Sequence, residues 1–225
     1  MKKIKEKEVT KRQLADREQI VKEISEAAHL YKKFLVGKRF LYAFDNRYIE
    51  VLYKKENFKH LTGVDTNLTA KQFFDFALKN RLQAKQIFFS KRHPYSLCKK
   101  KLRHICEIAT LAYAESFMLE EITTVSASYK FGTTALKFSL CMNKEVDDNG
   151  MKVGDCYIVE SLRDEDCFGR SKYVYEVTHI FSRSNNLSKK YTDLIFEDKK
   201  ASVKDLSPKI LELLDDSIIG KVFER

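Results

Sequence analysis

The hydrophobic pattern changes period near residue 120, and that change limits what the chain can fold into. Before it, apolar residues recur about every 3.6 positions; after it, β-branched and aromatic residues alternate with polar ones in short runs. Helices followed by a run of antiparallel strands is α+β order. "KRQLADREQIVKEISEAAHLYKKFLV" places Leu14, Ile20 or Val21, Ile24, Ala28 and Tyr31 on one stripe of a charged rod, with Thr10 as N-cap and Gly37 as the stop. "KRFLYAFDNRYIEVLYKK" reads as two strands joined at Asp45-Asn46. In "NLTAKQFFDFALKNRL", Asn67 or Thr69 caps a helix whose Phe73, Phe74, Ala77 and Leu78 face inward. "SLCKKKLRHICEIATLAYAESFM" is a third helical pattern, with Leu102, Ile105 and Cys106 on its apolar face.

Beyond it, "ITTVSASYKF", "TALKFSLCMN", "DCYIVESLR" and "SKYVYEVTHIFSR" read as strands, and "YTDLIFED" as a fifth. "LSPKILELLDDSIIGKVF" closes the chain with one or two short helices, started by Ser207 before Pro208. The expected fold is α+β: helices on a four- to five-stranded antiparallel sheet. Residues 1–37 are expected as an N-terminal helical extension and residues 38–225 as a single domain ending in a helix.

Composition removes several classes. Hydrophobic content of 44% with seven Gly and two Pro fits a compact globular chain, not a disordered one. No apolar run is long enough for a membrane helix, and "MKKIKEKEVTKRQLADREQ" lacks the apolar centre of a signal peptide, so the cytoplasm is the expected compartment. The five cysteines are odd in number and form no CxxC pair, which fits reduced thiols. His93, Cys98, His104 and Cys106 match no standard zinc spacing, and neither a metal nor another cofactor is expected. Phosphate-loop, dinucleotide-binding, GxSxG and HExxH motifs are absent from the sequence.

Charge is unevenly spread. Residues 1–104 hold 26 Lys and Arg against 11 Asp and Glu, whereas the whole chain carries +10. A basic half of this kind is suited to a polyanion, because each phosphate it neutralises releases counterions. Lys99, Lys100 and Arg103 on the third helix are candidates to track a phosphate backbone; a solvated helix surface explains them equally well.

The inventory that remains, rich in His, Lys, Arg, Ser, Thr and Tyr, suits metal-free cleavage of RNA. There the 2′-hydroxyl attacks its own phosphate while one group removes a proton and another returns one. "ENFKHLTGV" concentrates such residues: His60 as acid or base, Lys59 for charge, Thr62 to position a phosphate, and Gly63 for close backbone approach. The same residues also fit a plain strand-to-helix corner, with His60 bonded to backbone. On the sheet, His179, Arg163, Arg170, Arg183 and Tyr157 are further candidates, as is His93 in a basic loop before Pro94; packing or solvation accounts for each of them as well.

"ENFKHLTGVDTNLTAKQFFDFALKNRL" resembles the signature segment of a phage-associated nuclease family, the fourth phage branch of the Barnase–EndoU–colicin–RelE superfamily. The resemblance continues through "FGTTALKFSL", "CYIVESLRDED" and "VTHIFSR", over roughly residues 48–200; Glu160-Ser161 stands where the family tends to carry Pro-Asn. It implies a helix-plus-sheet endoribonuclease core of a phage or mobile element, toxin or effector in type, with His60 as the leading functional residue. A catalytically silent inhibitor on the same fold, binding nucleic acid or a defence-system protein, is the alternative. An antitoxin is a possible partner, and the 27-residue amphipathic rod at residues 10–36 a candidate surface for it.

Overall fold

The computed structural model describes residues 11–111, 116–134, 136–147, 149–185 and 189–223; Thr10, expected as the first N-cap, lies outside them. Helix α1 (Lys11–Phe34) ends before Gly37, whose φ of 85° is the left-handed conformation that stops a helix. Strands β1 (Lys38–Phe44) and β2 (Arg47–Leu52) form a hairpin through Asp45 and Asn46, both at positive φ. Then come α2 (Phe58–Thr62), β3 (Asp65–Thr66), α3 (Ala70–Leu78), β4 (Ile87–Phe88) and α4 (Tyr95–Leu111). Thr69 and Gln72 cap α3 reciprocally.

The second half supplies β5 (Phe117–Thr123), β6 (Ser128–Thr134), β7 (Ser139–Val146), β8 (Lys152–Arg163), β9 (Ser171–Glu176), β10 (His179–Ser184) and β11 (Asp193–Glu197). Helices α5 (Pro208–Leu211) and α6 (Asp216–Phe223) follow.

The expected four- to five-stranded antiparallel sheet is corrected: among the described residues the sheet is mixed and has nine strands, in the order β11-β10-β1-β2-β8-β7-β6-β5-β9. Two antiparallel halves meet where β2 runs parallel to β8, Val51 opposite Tyr157 and Leu52 opposite Ile158. A single run, residues 171–184, serves both ends: β9 pairs with β5 and β10 with β1. Only Val177 and Thr178 lie between them, bonded to Ser116 and Ala43 respectively. Two residues span under about 10 Å, so the far ends of the sheet approach each other and the sheet curls. Phe44 of β1 accordingly meets Phe131 of β6 at 6.0 Å and Tyr175 of β9 at 5.6 Å between ring centroids.

Strand β1 is buried on both faces, which is why "FLYAF" carries no polar alternation. Phe40, Tyr42 and Phe44 face the main core, and Leu41 and Ala43 face a second one closed by Ile210, Leu214 and Ile218. The stripe of α1, from Ile20 to Tyr31, is buried in the main core. Tyr31 is its hub: its ring meets Tyr53, Phe58 and Phe74, and its hydroxyl donates to the Lys54 carbonyl at 3.0 Å. A third cluster, Leu119, Ile122, Tyr129, Cys141 and Cys167, lies beneath the segment that follows β8.

Candidate active site

The segment quoted above builds one wall of a cleft. Helix α2 lasts five residues because Gly63 takes φ 68°, a left-handed cap. That turn leaves His60 exposed on the short helix and sends the chain into β3, where Asp65 pairs with Phe88 of β4. Beyond β4, Ser90 and His93 close a turn through Ser90 N to His93 O and His93 N to Ser90 Oγ, both 3.1 Å. This brings His93 Nδ1 to 2.7 Å from Asp65 Oδ1. With Nδ1–H donating to the carboxylate, Nε2 is left for the cleft.

Lining residues come from three directions. His60, Arg92, His93 and Lys101 stand on the helical side; Ser126 and Tyr129 come from the β5–β6 hairpin; Glu160, Ser161 and Arg163 come from β8. The space between them is about 960 Å³. β8 is bulged here: Cys141 faces Ser161 but Met142 faces Val159, so Glu160 is the extra residue. Such a bulge bends the strand and re-aims its side chains. Adjacent Glu160 and Ser161 therefore both reach the cleft wall. Glu160 Oε2 accepts from Asn143 Nδ2 at 3.1 Å.

The electrostatics follow from burial and from neighbours. Partial desolvation, followed by the charges of Lys59, His93 and Lys101, holds His60 below its ordinary value despite Glu160, so the ring is neutral at pH 7. Burial alone raises Asp65. Hydrogen bonds from Ser90 and His93, with the charges of His93 and Lys59, outweigh it and bring the carboxyl below its usual range. Lys101 is lowered first by burial and then by Arg163. Arg163 places one guanidinium nitrogen 2.9 Å from Thr124 Oγ1, 2.9 Å from Ser126 Oγ and 3.4 Å from the Tyr129 hydroxyl.

Of the residues singled out from sequence, the structure gathers His60, His93 and Arg163 in this cleft. Lys59 stands behind His60 and donates to the Leu68 carbonyl at 3.4 Å. Thr62 is fully buried, and its hydroxyl donates to the Lys59 carbonyl at 2.7 Å, closing α2 rather than meeting a phosphate. His179 sits far along the sheet, 1% exposed, stacked on Phe181 and 3.4 Å from Glu197. Tyr157 packs edge-on against Phe131 beneath the Lys144 ammonium. Lys100 is paired with Asp164 at 2.7 Å, Lys99 with Glu23 at 3.8 Å and Arg170 with Glu165 at 3.0 Å. Arg103 is exposed on α4, and Arg183 lies over the Tyr191 ring in the other half of the sheet. None of these lines the cleft.

Asp65, Lys101, Arg92 and Tyr129 were missed by sequence reasoning. Lys101 had a signal: it falls between Cys98 and Leu102, on the shoulder of the buried stripe of α4. Asp65 had only its place five residues after His60. The imagined His–Cys metal cluster is dispersed: His93 binds Asp65, the Cys98 thiol donates to the Gly63 carbonyl at 2.8 Å, and His104 Nε2 meets Asp164 at 2.8 Å. None of the described helices is long and apolar enough to cross a membrane.

No curated protein and no solved structure matches the chain. Residues 23–200 match a family model described as phage-Barnase-EndoU-ColicinE5/D-RelE like nuclease 4. That stretch contains every residue lining the cleft. The chain belongs to this nuclease family, and its function is of the nuclease type.

Proposed function

We propose that the cleft cleaves RNA by acid–base catalysis without a metal ion. His60, neutral at pH 7, removes the proton from a ribose 2′-hydroxyl. The freed O2′ attacks the adjacent phosphorus, the bond from phosphorus to O5′ breaks, and the imidazolium form of His93, its Nδ1–H on Asp65, delivers its Nε2 proton to the leaving oxygen. The products are a 2′,3′-cyclic phosphate and a 5′-hydroxyl end. Cationic groups around the cleft offset the charge that builds on the phosphorane-like transition state. The observation that carries the reading is the pair of imidazoles in one cleft with Arg92, Lys101 and Arg163, one imidazole held by a carboxylate at 2.7 Å. In biological terms we read the protein as a phage or mobile-element effector acting in a host cytoplasm and restrained by an antitoxin; support for that role is the family's phage association alone.

The test is incubation of a defined oligoribonucleotide with the full chain in EDTA. Expected are cyclic-phosphate ends and an inert all-deoxy strand. His60→Ala and His93→Ala are each expected to lower the rate by about 10²–10⁴-fold with the fold intact. RNA left whole in this assay removes the catalytic reading. A second reading, an inhibitor that binds without turnover, is favoured by the carboxylates of Glu160, Asp164 and Glu165 in the cleft wall. It predicts salt-dependent binding that is indifferent to both histidines.

A further inference from the structure

Lys101 and Arg163 stand within coulombic reach of each other, and among the described residues neither has an ion-pair partner. Two of the carboxylates nearby hold other cations. Asp164 holds Lys100 and His104, Glu165 holds Arg170, and Glu160 accepts from Asn143. Arg163 touches only neutral hydroxyls, and its Nε is buried without a hydrogen bond. The stem of Lys101 lies across Gly63, its Cδ 2.9 Å from where a Cβ on that glycine would stand. Burial, followed by the charge of Arg163, works against the Lys101 ammonium in the empty protein, with Asp164 offsetting part of that cost; Arg163 is disfavoured by burial but held above its ordinary value by the Tyr129 hydroxyl and by Glu165. An anion held in the cleft by both residues relieves the repulsion on Lys101, and a guanidinium with an ammonium is a donor set suited to phosphate oxygens.

We infer that Lys101 and Arg163 form an oxyanion subsite that takes one phosphodiester group of the bound strand. This deepens the nuclease reading by naming the group held, but it does not need turnover to be observed. The shared chemistry is a phosphate ester, and the test separates a strand phosphodiester from free phosphate.

The full chain is titrated with inorganic phosphate at constant ionic strength, by calorimetry and by thermal unfolding. Lys101→Met keeps the stem over Gly63 and removes the charge. Phosphate is expected to raise the Tm of the wild type. Its Kd is expected to weaken at least tenfold in Lys101→Met and in Arg163→Gln, and to stay unchanged in Lys172→Met on the remote strand β9. Without phosphate, Lys101→Met is expected to unfold no lower than the wild type, which separates lost binding from lost folding. In a second arm, a 2′-O-methyl oligoribonucleotide, which lacks the attacking hydroxyl, is expected to be displaced by phosphate and to bind Lys101→Met at least tenfold more weakly. Wild-type phosphate affinity in Lys101→Met overturns the subsite, as does an oligonucleotide that binds both proteins equally. RNA left intact while phosphate binding still depends on Lys101 removes the nuclease reading and keeps the subsite. RNA cleaved while phosphate binding ignores Lys101 does the reverse.

Discussion

Lys101 crosses the bare face of Gly63: a Cβ added to Gly63 would stand 2.9 Å from Lys101 Cδ. Gly63 thus meets two demands at once, a backbone φ of 68° and room for the stem of a cleft cation. Gly63→Ala is expected to cost about 1–2 kcal/mol from the left-handed conformation. The clash is with a flexible chain, so the lysine yields rather than the fold. Cleavage should then fall by more than the stability loss explains. Urea unfolding with kcat/KM on the same preparations checks this; a destabilised variant with unchanged kcat/KM would show that Lys101 is not placed by Gly63.

Asp65 orients His93, and Asp65→Asn removes the charge while keeping the shape. The expected result is a kcat lowered about tenfold to a hundredfold with KM little changed, because the carboxylate touches the imidazole and not the substrate. Stability carries a second signature. The folded Asp65 carboxyl titrates below its ordinary value near 3.8, so the folded state binds fewer protons than the unfolded one. Its contribution is complete above that value and is lost as pH falls through the folded pKa. The stability gap between wild type and Asp65→Asn should therefore close on acidification below about pH 4. A gap constant from pH 7 to pH 3 would rule out this coupling.

The α+β order was legible because it is written in local periodicity. The size of the sheet was not. "SKYVYEVTHIFSR" alternates as one strand, yet at Val177–Thr178 it changes partners from β5 to β1, and nothing local marks the switch. The parallel join of β2 to β8 is equally non-local, since Val51 and Tyr157 meet only in the fold. The site divides along the same line. His60 was legible because its own turn carries Gly63. Asp65 and His93 are 28 positions apart and become a pair only through the small β3–β4 sheet. Lys101 was hidden in "CKKKL", where a run of lysines resembles a solvated face and only one of them turns inward.

The pH profile tests which histidine is the base. His60 is held below its ordinary value of 6.5, first by partial burial and then by Lys59. A base must be deprotonated, so the acid limb of kcat/KM should lie below pH 6.5. Lys59→Met removes the second cause and leaves the first, so the limb should move up in pH but not reach the free value. The folded state binds fewer protons here as well, so His60's contribution to stability is complete above 6.5 and is lost as pH falls through the folded pKa. An acid limb that ignores Lys59→Met would transfer the role of base away from His60.

His179 supplies the opposite test, a histidine whose loss should be felt only in folding. It is 1% exposed, its Nδ1 lies 3.1 Å from Thr178 Oγ1, and its ring lies parallel to that of Phe181 at 5.7 Å. His179→Ala opens a cavity beside Phe181 and removes the contact to Glu197, a loss of about 2–4 kcal/mol. The cleft lies on the other side of the molecule's parallel join, among residues that β10 does not supply. At a temperature where the variant is still folded, kcat/KM should therefore match the wild type. Thermal unfolding followed by cleavage assays ten degrees below the variant's midpoint makes the comparison. A folded His179→Ala protein with cleavage reduced a hundredfold would place this histidine in the chemistry and take the acid–base pair away from His60 and His93.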